Sequence, residues 1–97
     1  MALLHIVWLR FKPQVSAERI DHHFAACRSM VGQVPVVVDL QCGANTTDRA
    51  DGMTHGIVVT LPDPASLPVY LHHPVHTPIA TALGADVAEL RVMDLQV

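Results

Sequence analysis

Aromatic and charged residues are both scarce in this chain of 97 residues. It has one tryptophan, one tyrosine and two phenylalanines, and 15% of its residues are charged whereas 51% are hydrophobic. The six lysines and arginines form no run, which argues against a nucleic-acid-binding protein. So thin a polar coat on a small body indicates that a partner covers part of the apolar surface.

Cysteine is also scarce, and no apolar stretch is long. Cys27 and Cys42 are too few for a disulfide framework, so we expect reduced thiols and a cytoplasmic location. The apolar residues 1–8 are interrupted by His5 and lack a basic leader and a cleavage site, so they predict a strand and not a signal peptide. No stretch is long enough to span a bilayer, so no membrane association is expected. The length predicts a single domain over residues 1–97.

Histidine is the polar residue that the chain has in excess. Three of its seven histidines lie within residues 70–76, together with the only tyrosine and Pro74. The unperturbed pKa of histidine lies nearest to neutrality, so this segment is a candidate for proton transfer or metal binding. Proline favours the first position of a helix, which predicts His73 at the cap and His76 in the first turn.

Hydrophobic periodicity predicts four strands and three helical segments. The first helix begins after an N-cap at Ser16 and ends at Gly32. The predicted strands are residues 2–12, 35–46, 53–61 and 86–97, and the other helical segments are residues 64–71 and 74–83. The resulting order is β-α-β-β-α-β, an α+β ferredoxin-like fold with a four-stranded antiparallel sheet and helices on one face.

The strands are apolar on both faces. Leu3, His5, Val7, Leu9 and Phe11 share one face of the first strand, whereas Leu4, Ile6 and Trp8 share the other. A sheet with one solvated face alternates apolar and polar residues, and the helices cover only one face. We therefore predict a homodimer formed by symmetric sheet-to-sheet packing.

Three segments resemble the stress-responsive dimeric α/β-barrel family along nearly the whole chain. They are LLHIVWLRFKP at residues 3–13, GMTHGIVV at residues 52–59 and Tyr-x-x-His-Pro-x-His at residues 70–76. The resemblance implies ferredoxin-like protomers whose sheets pair into a dimeric barrel.

The resemblance also implies a candidate site. One family member is a polyketide cyclase, which folds a linear poly-β-keto thioester by an intramolecular aldol condensation without cofactor or metal, in a pocket between sheet and helices. Its tyrosine and histidines fall, by motif, on His5, His55, Tyr70, His73 and His76. The histidine matching His76 is its acid/base, and the tyrosine matching Tyr70 assists.

His76 and Tyr70 are the leading candidates for acid–base chemistry. The positive end of a helix disfavours imidazolium, so a first-turn His76 should have a lowered pKa and accept a proton at neutral pH. Aldol chemistry needs such a base and a donor for the developing oxyanion, a role that fits Tyr70. The competing interpretation is that His76 hydrogen-bonds Tyr70 and only holds the helix start.

Two strand histidines complete the candidate catalytic set. His5 and His55 join the pocket if both point toward the helices, where Val7, Leu9 and Ile57 make the surroundings apolar. A buried histidine needs a hydrogen-bond partner, and the two rings are candidate partners for each other, so a structural role competes with a catalytic one. The predicted ligand-binding residues are Val7, Leu9, Ile57 and His73.

The remaining candidates have simpler interpretations. His73 is predicted to be chiefly a helix cap. His22, His23 and His72 are predicted to be surface residues, and Cys27 a small buried hydrophobe.

A metal site would need a third ligand to join His73 and His76. No metal-binding motif supports one, so no metal or cofactor is expected.

Three functional hypotheses stay open. A binder of a small carbonyl compound with acid–base chemistry is the leading hypothesis. A non-catalytic stress-associated or ligand-sequestering dimer, and a cofactor-independent oxygenase of the related dimeric-barrel type, are the alternatives.

Overall fold

The computed structural model describes all of residues 1–97 as four strands and three helices. The two helices between the third and fourth strands together take the place of the second helix in the predicted order. The strands are β1 (Leu3–Phe11), β2 (Asp39–Ala44), β3 (His55–Leu61) and β4 (Val87–Gln96), and the helices are α1 (Ala17–Arg28), α2 (Ser66–Leu71) and α3 (His76–Asp86).

The strands form one antiparallel sheet in the order β2-β3-β1-β4. The central strands β1 and β3 pair Val7 with Ile57, and Leu9 with His55. All three helices belong to a layer on one face, which confirms the predicted α+β ferredoxin-like fold with its four-stranded antiparallel sheet.

Burial alternates along β1 as the pattern predicts for a sheet with helices on one side. The side chains that face the helices, from Leu3 to Phe11 at every second position, are all buried. Leu9 is completely inaccessible and pairs with Leu90 of the edge strand β4. The core therefore lies between the sheet and the helices.

Prolines in α2 and α3 lie near the helix starts, where they do not break the helix. Pro68 and Pro78 are each the third residue of their helix, and the N–H groups of the first helical turn have no intrahelical acceptor. Helix α3 starts two residues later than predicted, because Val75 is its N-cap, and it continues through Gly84 to Asp86. A glycine lowers helix stability but does not by itself end a helix.

Two other boundaries differ from the predicted ones. Helix α1 has the predicted Ser16 cap but ends at Arg28, and Gly32 follows in a left-handed conformation (φ +91°). Strand β2 begins at Asp39, because Val34 and Val37 close a buried turn through a 3.0 Å backbone hydrogen bond. Apolar residues in a buried turn and in a buried strand give the same sequence signal.

The face of the sheet opposite the helices is largely apolar. Trp8 and Leu95 are both 42% exposed there, and Met93 is 55% exposed. We call this surface the outer sheet face, defined by Leu4, Ile6, Trp8, Val58, Met93 and Leu95. No helix is both long and apolar enough to cross a membrane.

His23 is buried, so its predicted surface location is wrong. Its Nε2 lies 2.6 Å from the Asp86 carboxylate, and its ring stacks on Phe11. Arg19 also donates to the Asp86 carboxylate. Asp86 thus joins α1 to the end of α3. It also supplies the hydrogen-bond partner without which burying the His23 imidazole would destabilise the fold.

We expect Asp86→Asn to lower the free energy of unfolding at neutral pH. We also expect that free energy to fall less than in the wild type as the pH is lowered. Hydrogen bonds from His23 and Arg19 lower the pKa of Asp86 in the folded state. The stabilisation is therefore complete above the unfolded value of about 3.9 and is lost as pH falls through the folded pKa. Urea unfolding between pH 6 and pH 2 measures this, with exposed Asp21→Asn as the control. Identical pH dependence in Asp86→Asn and the wild type would contradict the role of Asp86.

Candidate functional site

A cavity of about 220 Å³ lies between the sheet and helices α2 and α3. Its walls are mainly aliphatic and include Val7 and Ile57 from the sheet and Ile79 and Leu83 from α3. Leu90 and Val92 of β4 line it while remaining about half exposed, so the cavity opens toward this edge strand. The titratable side chains in its wall are His5, Cys27, Tyr70 and His76.

Tyr70 and His76 meet because the chain reverses direction between α2 and α3. Their ring centroids are 4.5 Å apart. Tyr70 is 3% exposed, and its hydroxyl makes no hydrogen bond to the protein. Every fully buried polar side-chain atom in the structure has a hydrogen-bond partner, so the Tyr70 hydroxyl is not fully buried. The hydroxyl is therefore accessible from the cavity that it lines, as a donor without an acceptor in the protein.

One nitrogen of His76 is engaged by the backbone, and the other is free. Its Nδ1 lies 3.0 Å from the carbonyl oxygen of Leu71. A carbonyl only accepts, so Nδ1 carries the proton and Nε2 of the neutral ring bears the free lone pair. Burial lowers the pKa of His76, and the neighbouring His5 and His73 lower it further, whereas the Leu71 hydrogen bond opposes them. The direction matches the expectation, although burial and not the helix start is the main cause.

His5 is held by Asp94, a residue that no sequence motif connects to it. Its Nδ1 lies 2.6 Å from the Asp94 carboxylate, and its ring centroid is 5.7 Å from that of Tyr70. An ionised carboxylate only accepts, so Nδ1–H donates and Nε2 is left free. Asp94 is far away in sequence and becomes a neighbour only through the β1–β4 register, which pairs it with His5.

Two further groups in the wall stay protonated. Burial raises the pKa of Tyr70, which keeps its O–H available as a donor. Burial also raises the pKa of the Cys27 thiol to about 11. A thiol and not a thiolate faces the cavity, so Cys27 behaves as the small hydrophobe that was predicted.

His55 lies away from this cavity. It pairs with Leu9 whereas His5 pairs with Val59, so the two histidines are about 13 Å apart along the sheet. The ring of His55 packs edge-on against Phe11 and its Nδ1 hydrogen-bonds Thr54. The predicted pairing of His5 with His55 is therefore wrong.

Two predicted ligand contacts also lie outside the cavity. Leu9 is a fully buried core residue that does not line it. His73 closes the turn before α3, since its Nδ1 accepts from the Val75 N–H and its carbonyl accepts from the His76 N–H. The N-cap of α3 is Val75, so the prediction of His73 as the helix cap is wrong, and His73 instead holds the turn that precedes the cap. Val7 and Ile57 do line the cavity, together with His5, Tyr70 and His76.

The second large depression lies on the outer sheet face. It has a volume of about 440 Å³, and its floor includes the paired glycines Gly43 and Gly56 beside Trp8. His55 and Cys42 are its only titratable lining residues. No group of three histidine, cysteine or acidic side chains is arranged to hold a metal ion.

NMR titration of His76 should give a pKa below about 6.5, the value for an unperturbed histidine. Burial in the apolar wall disfavours the charged ring, so the neutral base predominates at pH 7. The ring proton resonances measure this value, and the urea-unfolded protein is the control, in which the pKa should return to about 6.5. A folded-state value at or above the unfolded one contradicts the description of His76 as a desolvated base.

Comparison with known proteins places this chain among proteins with several activities. It is 27% identical to olivetolic acid cyclase from Cannabis sativa over 78 residues, which cover 78% of this chain and 77% of the cyclase. The structure matches hydroxynitrile lyase from Passiflora edulis with a TM-score of 0.92 at 24% identity, covering 99% of this chain and 93% of the lyase.

Other proteins of this fold are dimeric or have further activities. A dimeric ferredoxin-like protein of unknown function from Thermobifida fusca matches with a TM-score of 0.87 at 18% identity, covering all of this chain and 92% of that one. A cofactor-independent oxygenase from Streptomyces nogalater matches with a TM-score of 0.79 at 14% identity, covering 99% of this chain and 92% of the oxygenase. The likeness to these structures is one of fold.

The family assignment follows from the match over nearly the whole chain. The sequence model of the protein family described as the stress responsive A/B barrel domain, Dabb, matches residues 3–97 of this chain. This chain belongs to the Dabb family.

Proposed function

We propose that this chain is an acid–base catalyst that acts on a small carbonyl compound bound between the sheet and the helices. The observation that carries the proposal is the cavity wall, where the free Nε2 of His76 and the unpaired hydroxyl of Tyr70 belong to rings 4.5 Å apart. A base beside a hydrogen-bond donor is the arrangement that enolate chemistry requires.

The reaction begins with proton abstraction by His76. Its Nε2 takes a proton from the carbon next to the carbonyl, and the C–H electron pair moves to give an enolate. The hydroxyl of Tyr70 donates to the developing oxyanion, and its raised pKa keeps the proton on the phenol. The imidazolium then returns the proton, either to carbon or to the alkoxide that forms when the enolate attacks a second carbonyl.

His5 supplies a second polar contact at the same end of the cavity. Asp94 fixes the ring orientation and tautomer, which leaves Nε2 of this cavity-lining ring free to act as an acceptor. We assign His5 to positioning the substrate and Asp94 to positioning His5. His55 has no contact with this cavity and is not part of the proposed reaction.

The proposed assembly is a homodimer in which two outer sheet faces pack together. The apolar side chains of that face have no cover within the chain, and the similar structures include dimeric proteins. Packing them symmetrically buries Trp8, Met93 and Leu95 while leaving the cavity on the opposite side of the sheet.

Hydrogen–deuterium exchange tests the chemistry without knowledge of the natural substrate. Octan-2-one is incubated with the protein in D2O, and NMR follows the loss of the protons that flank its carbonyl. We expect faster exchange than in a solution of free imidazole at the same concentration, with the rate rising as His76 loses its proton.

The exchange experiment and a measurement of oxygen consumption distinguish the two alternative functions. A ligand-sequestering protein binds the ketone without accelerating exchange, and this outcome would overturn the proposed catalysis. An oxygenase consumes dissolved oxygen in the presence of its substrate, which an oxygen electrode detects and enolate exchange alone does not require.

A further inference from the structure

The cavity contains no permanently charged cation that could pair with an anion. Its wall has no lysine or arginine. Five of the chain's six cationic side chains are engaged elsewhere: Arg10 and Arg91 contact Glu89, Arg19 contacts Asp86, Lys12 contacts the Ala85 carbonyl and Arg28 contacts the Cys42 carbonyl. An anion that enters the cavity therefore loses water without gaining a counter-charge.

Asp94 adds a negative charge at the polar end. Its carboxylate lies 2.6 Å from Nδ1 of His5, one imidazole ring away from the cavity. The carboxylate already occupies the Nδ1–H of His5, so this N–H is not free to donate to an anionic ligand. A ligand carboxylate at this end lies one imidazole ring from the negative charge of Asp94, which solvent screens in part because the Asp94 side chain is 35% exposed.

The polar side chains that line the cavity suit a neutral carbonyl group. The hydroxyl of Tyr70 donates to a carbonyl oxygen, and Nε2 of His5 or His76 accepts from an enol or hydroxyl. The rest of the wall is aliphatic, and the volume of about 220 Å³ equals that of roughly seven water molecules at ~30 Å³ each. A short alkyl chain fills this space.

We infer that the cavity selects uncharged carbonyl compounds with a short aliphatic chain, excludes the corresponding carboxylates, and depends on Asp94 for part of this discrimination. The inference rests on the proposed function for the location of the ligand, but it concerns binding and not turnover. It also implies that any charged handle on a substrate stays outside, beyond Leu90 and Val92.

A pair of isosteric ligands tests this inference. Octan-2-one and heptanoate carry the same hexyl chain on a carbonyl carbon. The fourth group is an uncharged methyl in octan-2-one, and heptanoate has a negatively charged oxygen in its place. Binding at pH 7.5 is measured from the NMR shifts of the cavity residues. We expect heptanoate to bind the wild type at least about thirtyfold more weakly than the ketone, because a desolvated carboxylate without a partner is strongly disfavoured.

Two variants assign the discrimination to Asp94. Asp94→Asn keeps an oxygen that accepts from His5 but removes the charge, so heptanoate should bind at least about fivefold more tightly while the ketone changes by less than about threefold. Glu89→Gln removes a carboxylate from the same strand, where Glu89 pairs with Arg10 instead, and should leave the ratio unchanged.

The outcomes separate this inference from the proposed function. Equal binding of heptanoate and ketone, or a ratio that Asp94→Asn does not alter, overturns the charge selection even if exchange is catalysed. Tight, selective binding of the ketone without exchange supports the charge selection and overturns the catalysis. Absence of ketone binding in the cavity overturns both.

Discussion

His76→Gln should lower the rate of catalysed exchange by about 10² to 10⁴, because a glutamine amide cannot take a proton from carbon. Glutamine retains an N–H that can donate to the Leu71 carbonyl, so the start of α3 should keep its structure. The measurement is the initial rate of deuterium incorporation into octan-2-one at pH 7.5, with ketone binding followed in parallel. Binding should change little, which separates a lost base from a lost ligand site.

Tyr70→Phe and His72→Gln make this result specific. Tyr70→Phe removes only the hydroxyl donor and should lower the rate by about 10² to 10³, the usual effect of removing one oxyanion donor. His72 caps α2, is exposed and does not line the cavity, so His72→Gln is the matched control and should exchange as the wild type does. If His76→Gln retains wild-type exchange, another group is the base.

Ile6→Glu should convert the homodimer into a monomer. Ile6 lies on central strand β1, between Val58 of β3 and Met93 of β4, at the middle of the outer sheet face. A symmetric interface places the new carboxylate in the contact twice, and each buried charge without a partner costs several kcal/mol. We expect the dissociation constant of the dimer to rise at least about a thousandfold.

Sedimentation equilibrium measures this change against the single-chain mass of 10.5 kDa. Val31→Glu introduces the same charge at an exposed position after α1, away from the sheet, and should remain dimeric. Circular dichroism of both variants shows whether each keeps its secondary structure. A wild-type protein that sediments as a monomer at micromolar concentration contradicts sheet-to-sheet packing.

The strands were predictable because burial in this fold follows a period of two. The positions of Val7 and Ile57 on the helix-facing side follow from that period, and in the structure both side chains are buried there and line the cavity. Boundaries were less accurate where two interactions compete. Val34 and Val37 look like strand residues because they are apolar, yet they close a buried turn.

Polar pairs were the least predictable part of the site. His5 was expected beside His55, but the register of β1 with β4 instead places Asp94 at His5. His23 was expected at the surface, but it is buried because Asp86 accepts from it. In both cases a carboxylate more than 60 residues away in sequence decides the environment of the histidine.

The sequence by itself determined the order of the strands and helices, the two faces of β1 and the segment from Tyr70 to His76 that identifies the family. These features depend on neighbours only a few residues apart, since periodicity and helix caps act locally. Only the tertiary structure decided that Tyr70 and His76 join His5 at one cavity, and that His55 does not. The physical reason is that strand register and helix packing place distant residues in contact, and a shift of one residue would move His5 to the outer sheet face.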